Sequence, residues 1–310
     1  MPTAWPPAKL NLTLAVGPRG ADGYHPLRSV FLRIGLFDEL AAEQSAPEAG
    51  ADSLLVTGLP GCPVDDNLVL RAFAALRSAT GLALPPLAAR LEKNIPLTAG
   101  LGGGSSDAAA ALDLAAGCWG VGLAPAERQR LAIGLGSDVP FFSAGAPAAL
   151  VEGRGEVVTP LPGVSVGVGV LLAVGAAPLS TGAVYARHDE LATAATDAGR
   201  STGDLAAALR NGLGAPALVD RLGDLRDAND LWPAAADLRP GLAATRATIE
   251  SETGRPWLLT GSGPTLFTLY PSVEEARAAG RRLADRISAV GLAASLIATD
   301  SGPSDNDRRE

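Results

Sequence analysis

The chain has 310 residues, of which 47% are apolar and 4% aromatic, and its formal net charge is −8. This length predicts two domains of ordinary size. The acidic balance argues against a nucleic-acid partner, which would need an excess of clustered Lys and Arg, but not against a small phosphorylated ligand.

The elements, taken in chain order, predict an α+β fold. Residues 9–16 alternate polar and apolar side chains, the pattern of a strand, and residues 43–53 form a polar connection. Helical spacing of apolar residues is found in four segments: 66–79, 126–135, 183–193 and 273–290. Residues 164–173 predict a buried strand, and 257–269 two strands around a glycine turn. Strands and helices mixed without regular βαβ alternation favour an α+β architecture.

Glycine and proline cluster in residues 153–163 and predict a domain boundary there, with one domain over 1–155 and a second over 156–300. Residues 196–203 are predicted to be a mobile loop and 301–310 a disordered polar tail. Neither an export signal nor an apolar stretch long enough for a membrane span is recognisable, so a cytoplasmic location without membrane contact is expected. Cys62 and Cys118 show no metal-ligand spacing.

The most informative segment is the glycine-rich loop, residues 96–106, followed by an alanine-rich run. Its glycines allow the backbone to approach a ligand closely, and Ser105, Ser106 and Asp107 are residues that favour a helix start. A loop of this kind directs free N–H groups and the positive end of a helix dipole at an anion, usually phosphate. The loop lacks the Gly-Lys-Ser/Thr ending of a Walker motif, and the chain has no Gly-x-Gly-x-x-Gly dinucleotide motif. A flexible linker is the alternative, but linkers rarely lead directly into an alanine helix.

Charged residues elsewhere suggest phosphoryl-transfer chemistry. Asp138 lies between a glycine turn and two phenylalanines, and is either a general base or a turn cap. Lys9 shares the polar face of the first strand with Asn11, roughly 7 Å away along the strand. A lysine that faces an aspartate beside a phosphate loop would form a phosphotransfer site, whereas a lone strand lysine is usually solvated.

Two further segments carry no clear role by themselves. Tyr24 and His25 lie in an Asp-Gly-Tyr-His-Pro turn and offer a stacking ring beside a hydrogen-bonding ring, which suits a flat heterocycle. Taken alone, such a pair is better explained by structural packing. Residues 260–265, Thr-Gly-Ser-Gly-Pro-Thr, are either a simple hairpin or a turn that lets backbone approach the first glycine loop.

Three of these segments resemble, in order, the three motifs of the GHMP kinases: residues 7–14, the glycine loop and residues 260–265. Further segments are similar to the branch of that superfamily that acts on a cytidine diphosphate-linked methylerythritol in the non-mevalonate isoprenoid pathway. They are residues 22–31, 66–69, 136–142, 179–185 and 229–231. The resemblance spans residues 7–270, and the segments are specific because all occur in the family's order.

The resemblance implies a two-domain α+β GHMP kinase fold with the active site in the interdomain cleft, and transfer of the γ-phosphoryl of ATP to the C2 hydroxyl of the cytidine diphosphate substrate. It makes Asp138 the catalytic base and Lys9 the cation that orients it. It places ATP against Asn67, Leu68, Lys93 and the loop residues Pro96, Leu97, Thr98, Ala99, Gly100, Leu101, Gly102, Gly103, Gly104, Ser105 and Ser106. It places the cytosine against Tyr24, His25 and Tyr185, and the diphosphate or the alcohol near Asn11 and Thr181. Mg²⁺ is expected with ATP, and Ser106 is the candidate ligand.

Three alternatives stay open at this point. Another GHMP kinase, such as a homoserine or mevalonate kinase, would need no cytosine pocket. An RNA-binding protein is disfavoured by the acidic charge, and a regulator without catalysis is disfavoured by the presence of both Lys9 and Asp138. The sequence assigns no role to residues 229–232 and leaves the oligomeric state open.

Overall fold

We describe a computed structural model of the chain over residues 1–164, 168–175, 177–191, 197–290 and 294–300. Its strands are β1 (Thr3–Ala4), β2 (Pro7–Val16), β3 (Leu27–Phe37), β4 (Glu39–Gln44), β5 (Ser53–Gly58), β6 (Leu87–Lys93), β7 (Ala148–Gly153), β8 (Val157–Leu161), β9 (Gly169–Gly175), β10 (Leu258–Leu259), β11 (Leu266–Tyr270) and β12 (Ala294–Asp300). They form three four-stranded sheets with the orders β1-β4-β6-β5, β2-β3-β7-β8 and β10-β11-β9-β12. Neighbouring strands pair antiparallel except β5 and β6, which are parallel.

The helices are α1 (Leu68–Thr80), α2 (Gly103–Trp119), α3 (Pro125–Leu135), α4 (Val139–Ser143), α5 (Thr181–Leu191), α6 (Ala198–Arg210), α7 (Ala215–Asp220), α8 (Leu222–Leu225), α9 (Trp232–Leu238), α10 (Pro240–Thr253) and α11 (Val273–Val290), with a short 3₁₀ turn at Pro47–Ala49. None of the helices in the described part of the chain is both long and apolar enough to cross a bilayer.

Three apolar cores hold these elements together. Helices α1 and α2 pack on the first sheet, and α3 and α4 close the same core. The second sheet packs on α6, α7 and α8 and contacts β9 and β11, so this core joins the two halves of the chain. The third core lies between β9, β10, β11 and the helices α5, α9, α10 and α11. Packing continues from one half of the chain to the other, and this continuity fixes the residues that face the cavity between them.

Local sequence explains where the two helices beside the glycine loop begin and end. Helix α1 starts where the Asn67 side chain accepts the N–H of Val69 at 3.0 Å, and it ends at Gly81 with φ 63°. Helix α2 is preceded by Gly102, whose φ of 73° favours glycine. The alanines of α2 give a smooth face, so α2 packs closely against α1 and β4.

Most of the predicted elements are confirmed, including the α+β class. The first strand is β2, the predicted helices are α1, α3, α5 and α11, and the predicted later strands are β9, β10 and β11, each within a few residues where the chain is described. The predicted loop over residues 196–203 is wrong: residue 196 lies outside the described residues, and helix α6 begins at Ala198. Ala198, Thr202 and Leu205 are buried along one side of this helix, a helical spacing that the serine and glycine content concealed.

Two other predictions concern the organisation of the chain. The predicted boundary after residue 155 falls in the turn between β7 and β8, and β8 completes the sheet of β2, β3 and β7. Division of the chain at this point stays a prediction. The predicted tail, residues 301–310, lies outside the described residues.

Candidate active site

A cavity of about 1000 Å³ lies between the glycine loop, strand β2, the turn before β3 and helix α5. All but one of the sequence-predicted site residues line it: Lys9, Asn11, Tyr24, His25, Asn67, Leu68, Lys93, Pro96, Leu97, Thr98, Ala99, Gly100, Leu101, Gly102, Gly103, Gly104, Ser105, Asp138, Thr181 and Tyr185. Both halves of the chain contribute to its wall, since Thr181, Tyr185 and Gly261 follow the predicted boundary. Ser106 is the predicted residue that does not line the cavity.

The glycine loop is fitted to its surroundings by two glycines with positive φ. A Cβ on Gly100, whose φ is 76°, would collide with the carbonyl oxygen of Thr260 in the second glycine turn. A Cβ on Gly102 would lie 3.0 Å from Cγ of Lys9. The loop therefore brings the start of α2 into the cavity, against both the second glycine turn and β2, as a phosphate-binding loop requires.

Lys9 and Asp138 form an ion pair in the wall of the cavity. The Lys9 ammonium lies 3.4 Å from Oδ2 of Asp138, and it donates a hydrogen bond of 2.6 Å to Oδ1 of Asn11. The Lys9 residue is 3% exposed, whereas the Asp138 side chain is 29% exposed. Asp138 is therefore the partner that an incoming ligand reaches.

The network around Asn11 fixes the position of that ammonium. Nδ2 of Asn11 donates to the Ser29 hydroxyl at 3.0 Å, and its backbone N–H donates to the Thr260 hydroxyl at 3.0 Å. The backbone N–H of Lys9 donates to the Leu101 carbonyl at 2.9 Å. Strand β2, the glycine loop and the second glycine turn are thus joined at the ion pair.

Lys93 has a different environment from the one the sequence suggested. Its ammonium donates to Oδ2 of Asp107 at 2.7 Å and also bonds Asp38, whose Oδ1 accepts the N–H of Ile95 at 2.8 Å. Burial lowers the pKa of Lys93, but the charges of Asp107 and Asp38 outweigh it and the net pKa is raised. Burial, opposed by Lys93 and reinforced by Asp38, raises the pKa of Asp107 to about 7. The contact of Lys93 with adenine stays a prediction, and only its stem is free for it.

The aromatic residues Tyr24, His25 and Tyr185 line the same cavity from the turn before β3 and from helix α5. Tyr24 is 58% exposed, and the Arg154 guanidinium lies 4.6 Å from the centre of its ring. The rings of His25 and Tyr185 lie 5.4 Å apart at an angle of 39°. Burial, and to a smaller extent the charge of Asp138, raises the pKa of Tyr185 to about 12, so its phenol stays protonated at neutral pH.

Residues 229–232, which the sequence left without a role, brace the site. The Asn229 side chain donates to the carbonyls of Leu259 and Gly261, each at 3.0 Å, and Asp230 accepts the N–H of Val16 at 2.8 Å. This segment therefore holds the end of β2 and the second glycine turn together. On the other side of the turn, the hydroxyls of Thr181 and Ser262 lie 3.0 Å apart.

The comparisons with known proteins agree with this geometry. The family model "GHMP kinases N terminal domain" matches residues 67–146. A 4-diphosphocytidyl-2-C-methyl-D-erythritol kinase of Salinispora tropica is 42% identical over 294 residues, covering 92% of this chain and 87% of the relative. The enzyme of the same name from Symbiobacterium thermophilum is 38% identical over 300 residues, covering 94% and 97%. This chain belongs to the 4-diphosphocytidyl-2-C-methyl-D-erythritol kinase family.

Solved structures place that family within the GHMP kinase fold. A crystal structure of a 4-(cytidine 5'-diphospho)-2C-methyl-D-erythritol kinase matches with a TM-score of 0.71 and 29% identity, covering 97% of this chain and all of that one (100%). A homoserine kinase from Cytophaga hutchinsonii matches with a TM-score of 0.66 at 17% identity, covering 96% and 93%. At that identity the second match shows the fold alone, and it confirms the predicted fold.

Several residues of this kinase family member were missed by the sequence reasoning. They are Asp38, Asp107, Arg154 and Asp189, and each contacts a predicted site residue. Asp107 was interpreted only as a residue that favours a helix start. Its position one turn into an alanine helix, where a carboxylate needs a partner, was the available signal.

Proposed function

We propose that the chain transfers the γ-phosphoryl group of ATP to the C2 hydroxyl of 4-(cytidine 5'-diphospho)-2-C-methyl-D-erythritol. One observation carries the proposal: the Lys9–Asp138 pair, the glycine loop, Tyr24 and Tyr185 line the same cavity. In this proposal the glycine loop receives the phosphate donor, the tyrosines receive a flat base, and the ion pair serves both ligands.

In this proposal Asp138 is the general base. Its partly exposed carboxylate accepts the proton of the C2 hydroxyl as the oxygen attacks the γ-phosphorus, and the bond to the β-phosphate oxygen breaks. Lys9 holds the carboxylate in place and stabilises the negative charge on the transferring group. Its position is fixed by Asn11, so little reorganisation is needed during the reaction.

ATP would lie along the glycine loop. The N–H groups at the start of α2 would receive its phosphates, and Asn67, Leu68 and the stem of Lys93 would line the adenine. Mg²⁺ would neutralise phosphate charge when bound. No cluster of three His, Cys, Asp or Glu suited to a metal occurs among the described residues, and Mg²⁺ bound with a nucleotide needs few protein ligands.

The hydroxyls of Ser105 and Ser106 are the groups that the loop offers to Mg²⁺. Ser105 lines the cavity. The Ser106 hydroxyl is buried, has no hydrogen-bond partner among the described residues and does not line the cavity, so its role as a Mg²⁺ ligand stays a prediction.

The cytosine would stack on Tyr24 and Tyr185. Both ring nitrogens of His25 already contact protein acceptors, Gly17 O and Asp189, so the base edge would meet backbone groups of the turn rather than this ring.

Tyr185→Ala is expected to raise KM for the cytidine substrate about ten-fold, since base stacking contributes about 1–3 kcal/mol, with KM for ATP nearly unchanged. Tyr185→Phe is the matched control and should keep KM within about two-fold, because stacking does not need the hydroxyl. An unchanged KM in Tyr185→Ala would remove Tyr185 from the cytosine site.

The test of the whole proposal is ATP consumption by the purified protein with three acceptors in parallel: the cytidine diphosphate substrate, mevalonate and homoserine. Turnover is expected with the first alone, and its uridine analogue should react less well because the base edge is read by hydrogen bonds. Equal turnover of methylerythritol phosphate without the nucleotide would contradict a cytosine pocket. Turnover of homoserine or mevalonate alone would move the chain's activity to another GHMP kinase.

A further inference from the structure

The turn that carries Tyr24 and His25, residues 17–26 (the substrate turn), is closed by its own backbone. The N–H of Gly17 donates to the Pro26 carbonyl at 2.7 Å, and the N–H of Gly20 donates to the Tyr24 carbonyl at 2.7 Å. These bonds set the shape of the turn but do not attach it to helix α5, which forms the facing wall of the cavity. Attachment to α5 needs side chains.

His25 supplies that attachment, and both of its partners are acceptors. Nδ1 lies 2.9 Å from the Gly17 carbonyl oxygen, and Nε2 lies 3.1 Å from Oδ1 of Asp189 on α5. A neutral imidazole has one N–H, so one of these contacts would then bring two acceptors together. Only the imidazolium, with two N–H donors, satisfies both contacts.

The surroundings of the His25 ring are mostly closed to water, since its side chain is 6% exposed. Three residues of α5 surround the ring. Asp189 supplies a negative charge, the Tyr185 ring packs on the His25 ring, and the His188 ring lies 6.2 Å from the His25 ring, edge-on. From the substrate turn, the Arg19 guanidinium lies 3.9 Å from Oδ2 of Asp189. Asp189 is thus the carboxylate on which the ring and the turn's arginine converge.

We propose that Asp189 is a positioning residue for the cytidine substrate: it holds His25 as an imidazolium and thereby fixes the substrate turn against α5. This inference rests on the proposed function. Asp189 does not itself line the cavity and acts through His25. Loss of the ring proton would leave one contact without a donor and loosen the turn, so the affinity for the cytidine substrate falls as pH rises.

Kinetics across pH 6 to 9 separate this role from a general structural one. Asp189→Ala should raise KM for the cytidine substrate about five-fold or more at pH 6, and this difference from the wild type should narrow as pH rises, with kcat and KM for ATP within about two-fold. In the wild type the same KM should rise with pH. In Asp189→Asn it should be nearly independent of pH, because an amide can donate to a neutral Nε2. Glu190→Gln is the matched control: this neighbouring carboxylate pairs with Arg187 at 2.8 Å, and its variant should follow the wild type.

The protonation of the ring is measured directly by ¹⁵N NMR of the histidine side chains in the protein without ligand. The chain has only two histidines, so the spectrum of His188→Gln assigns His25. At pH 6.5 both ring nitrogens of His25 should carry protons in the wild type. A neutral ring there, or an unchanged KM in Asp189→Ala, would overturn the proposal. Absence of any turnover of the cytidine substrate by the wild type would instead defeat the proposed function, and the NMR result would stand by itself.

Discussion

Two buried lysines lie on either side of the glycine loop and have different partners. Lys9 is 3% exposed and Lys93 is 1% exposed. A Cβ on Gly102 would approach the stem of Lys9 to 3.0 Å, and a Cβ on the next residue, Gly103, would approach the ammonium of Lys93 to 3.2 Å. Two consecutive glycines of the loop thus each lie close to one of the lysines, and Gly103 lies closer still to Ile95.

Lys9 and Lys93 differ in the number of carboxylates that they contact. Lys93 bonds two buried carboxylates, Asp38 and Asp107, so its charge is compensated within the protein. Lys9 faces one carboxylate, Asp138, at 3.4 Å, and that carboxylate is open to the cavity. Burial alone therefore does not distinguish Lys9, which we propose to be catalytic, from Lys93, which we infer to be structural. The partners do, because a compensated charge stabilises the fold and an incompletely compensated one is available to a ligand's phosphates.

The largest effect on the reaction rate is expected at the Lys9–Asp138 ion pair, whose carboxylate is open to the cavity. Asp138→Asn removes the base and keeps its shape, so kcat should fall by about two to four orders of magnitude, the usual contribution of general-base catalysis. Thermal stability and ATP affinity should change little. The measurement is single-turnover phosphoryl transfer with ATP and the cytidine substrate. A variant that keeps more than about a third of the wild-type rate would remove Asp138 from the role of base.

Substitutions in the buried cluster of Lys93, Asp38 and Asp107 should change the free energy of unfolding. Asp38→Asn leaves the buried Lys93 with one carboxylate and should lower the free energy of unfolding by about 3–5 kcal/mol, as expected when a buried ion pair is broken. Asp113→Asn is the control, because its partner Arg128 is on the surface, and its cost should stay below about 1 kcal/mol. Urea denaturation measures both. Equal small losses would show that the cluster is not structural.

Adding one methyl group at Gly102 or at Gly103 tests the difference between Lys9 and Lys93 more finely. Gly102→Ala places a side chain at φ 73°, a strain of about 1–2 kcal/mol, and crowds Lys9. We expect kcat to fall about ten-fold. Gly103→Ala crowds Ile95 and Lys93 instead, so it should lower the melting temperature by a few degrees with kcat within about three-fold. The reverse assignment of the two effects would contradict the comparison.

The smallest effect is a pH dependence of stability. Burial raises the pKa of Asp107 in the fold to about 7, above the ordinary value of 3.8. Between these values the folded state binds more protons than the unfolded state, so this group favours folding at low pH, and its contribution is lost as pH rises towards 7. The stability of the wild type relative to Asp107→Asn should therefore fall by roughly 1–2 kcal/mol from pH 6 to 7.5. A constant or rising difference would contradict the raised pKa.

The two lysines also show which features of the fold and the site can be predicted from the sequence and which cannot. Strand β2, helix α2 and the tight glycine loop before it could be predicted, because alternation, alanine content and glycine spacing are local signals. The cavity that contains Lys9, Asp138, Tyr24 and Tyr185 was expected through the family resemblance. The pairing of Lys93 with Asp38 and Asp107 could not be predicted, because it joins β6, the residue before β4, and α2. These segments are far apart in the sequence, and local sequence patterns contain no information about such contacts. The same holds for Asp189 and His25, which are 164 residues apart along the chain.

The most direct measurement of the difference between the two lysines is Lys9→Met, assayed for both kcat and melting temperature. Removal of the ammonium deprives the transferring phosphoryl group of its stabilising charge, so kcat should fall about a hundred-fold or more. The Asp138 carboxylate left behind is partly exposed, so the melting temperature should change by no more than a few degrees. A kcat within about three-fold of the wild type, or a loss of stability as large as that of Asp38→Asn, would contradict the assignment of Lys9 to the reaction and Lys93 to the fold.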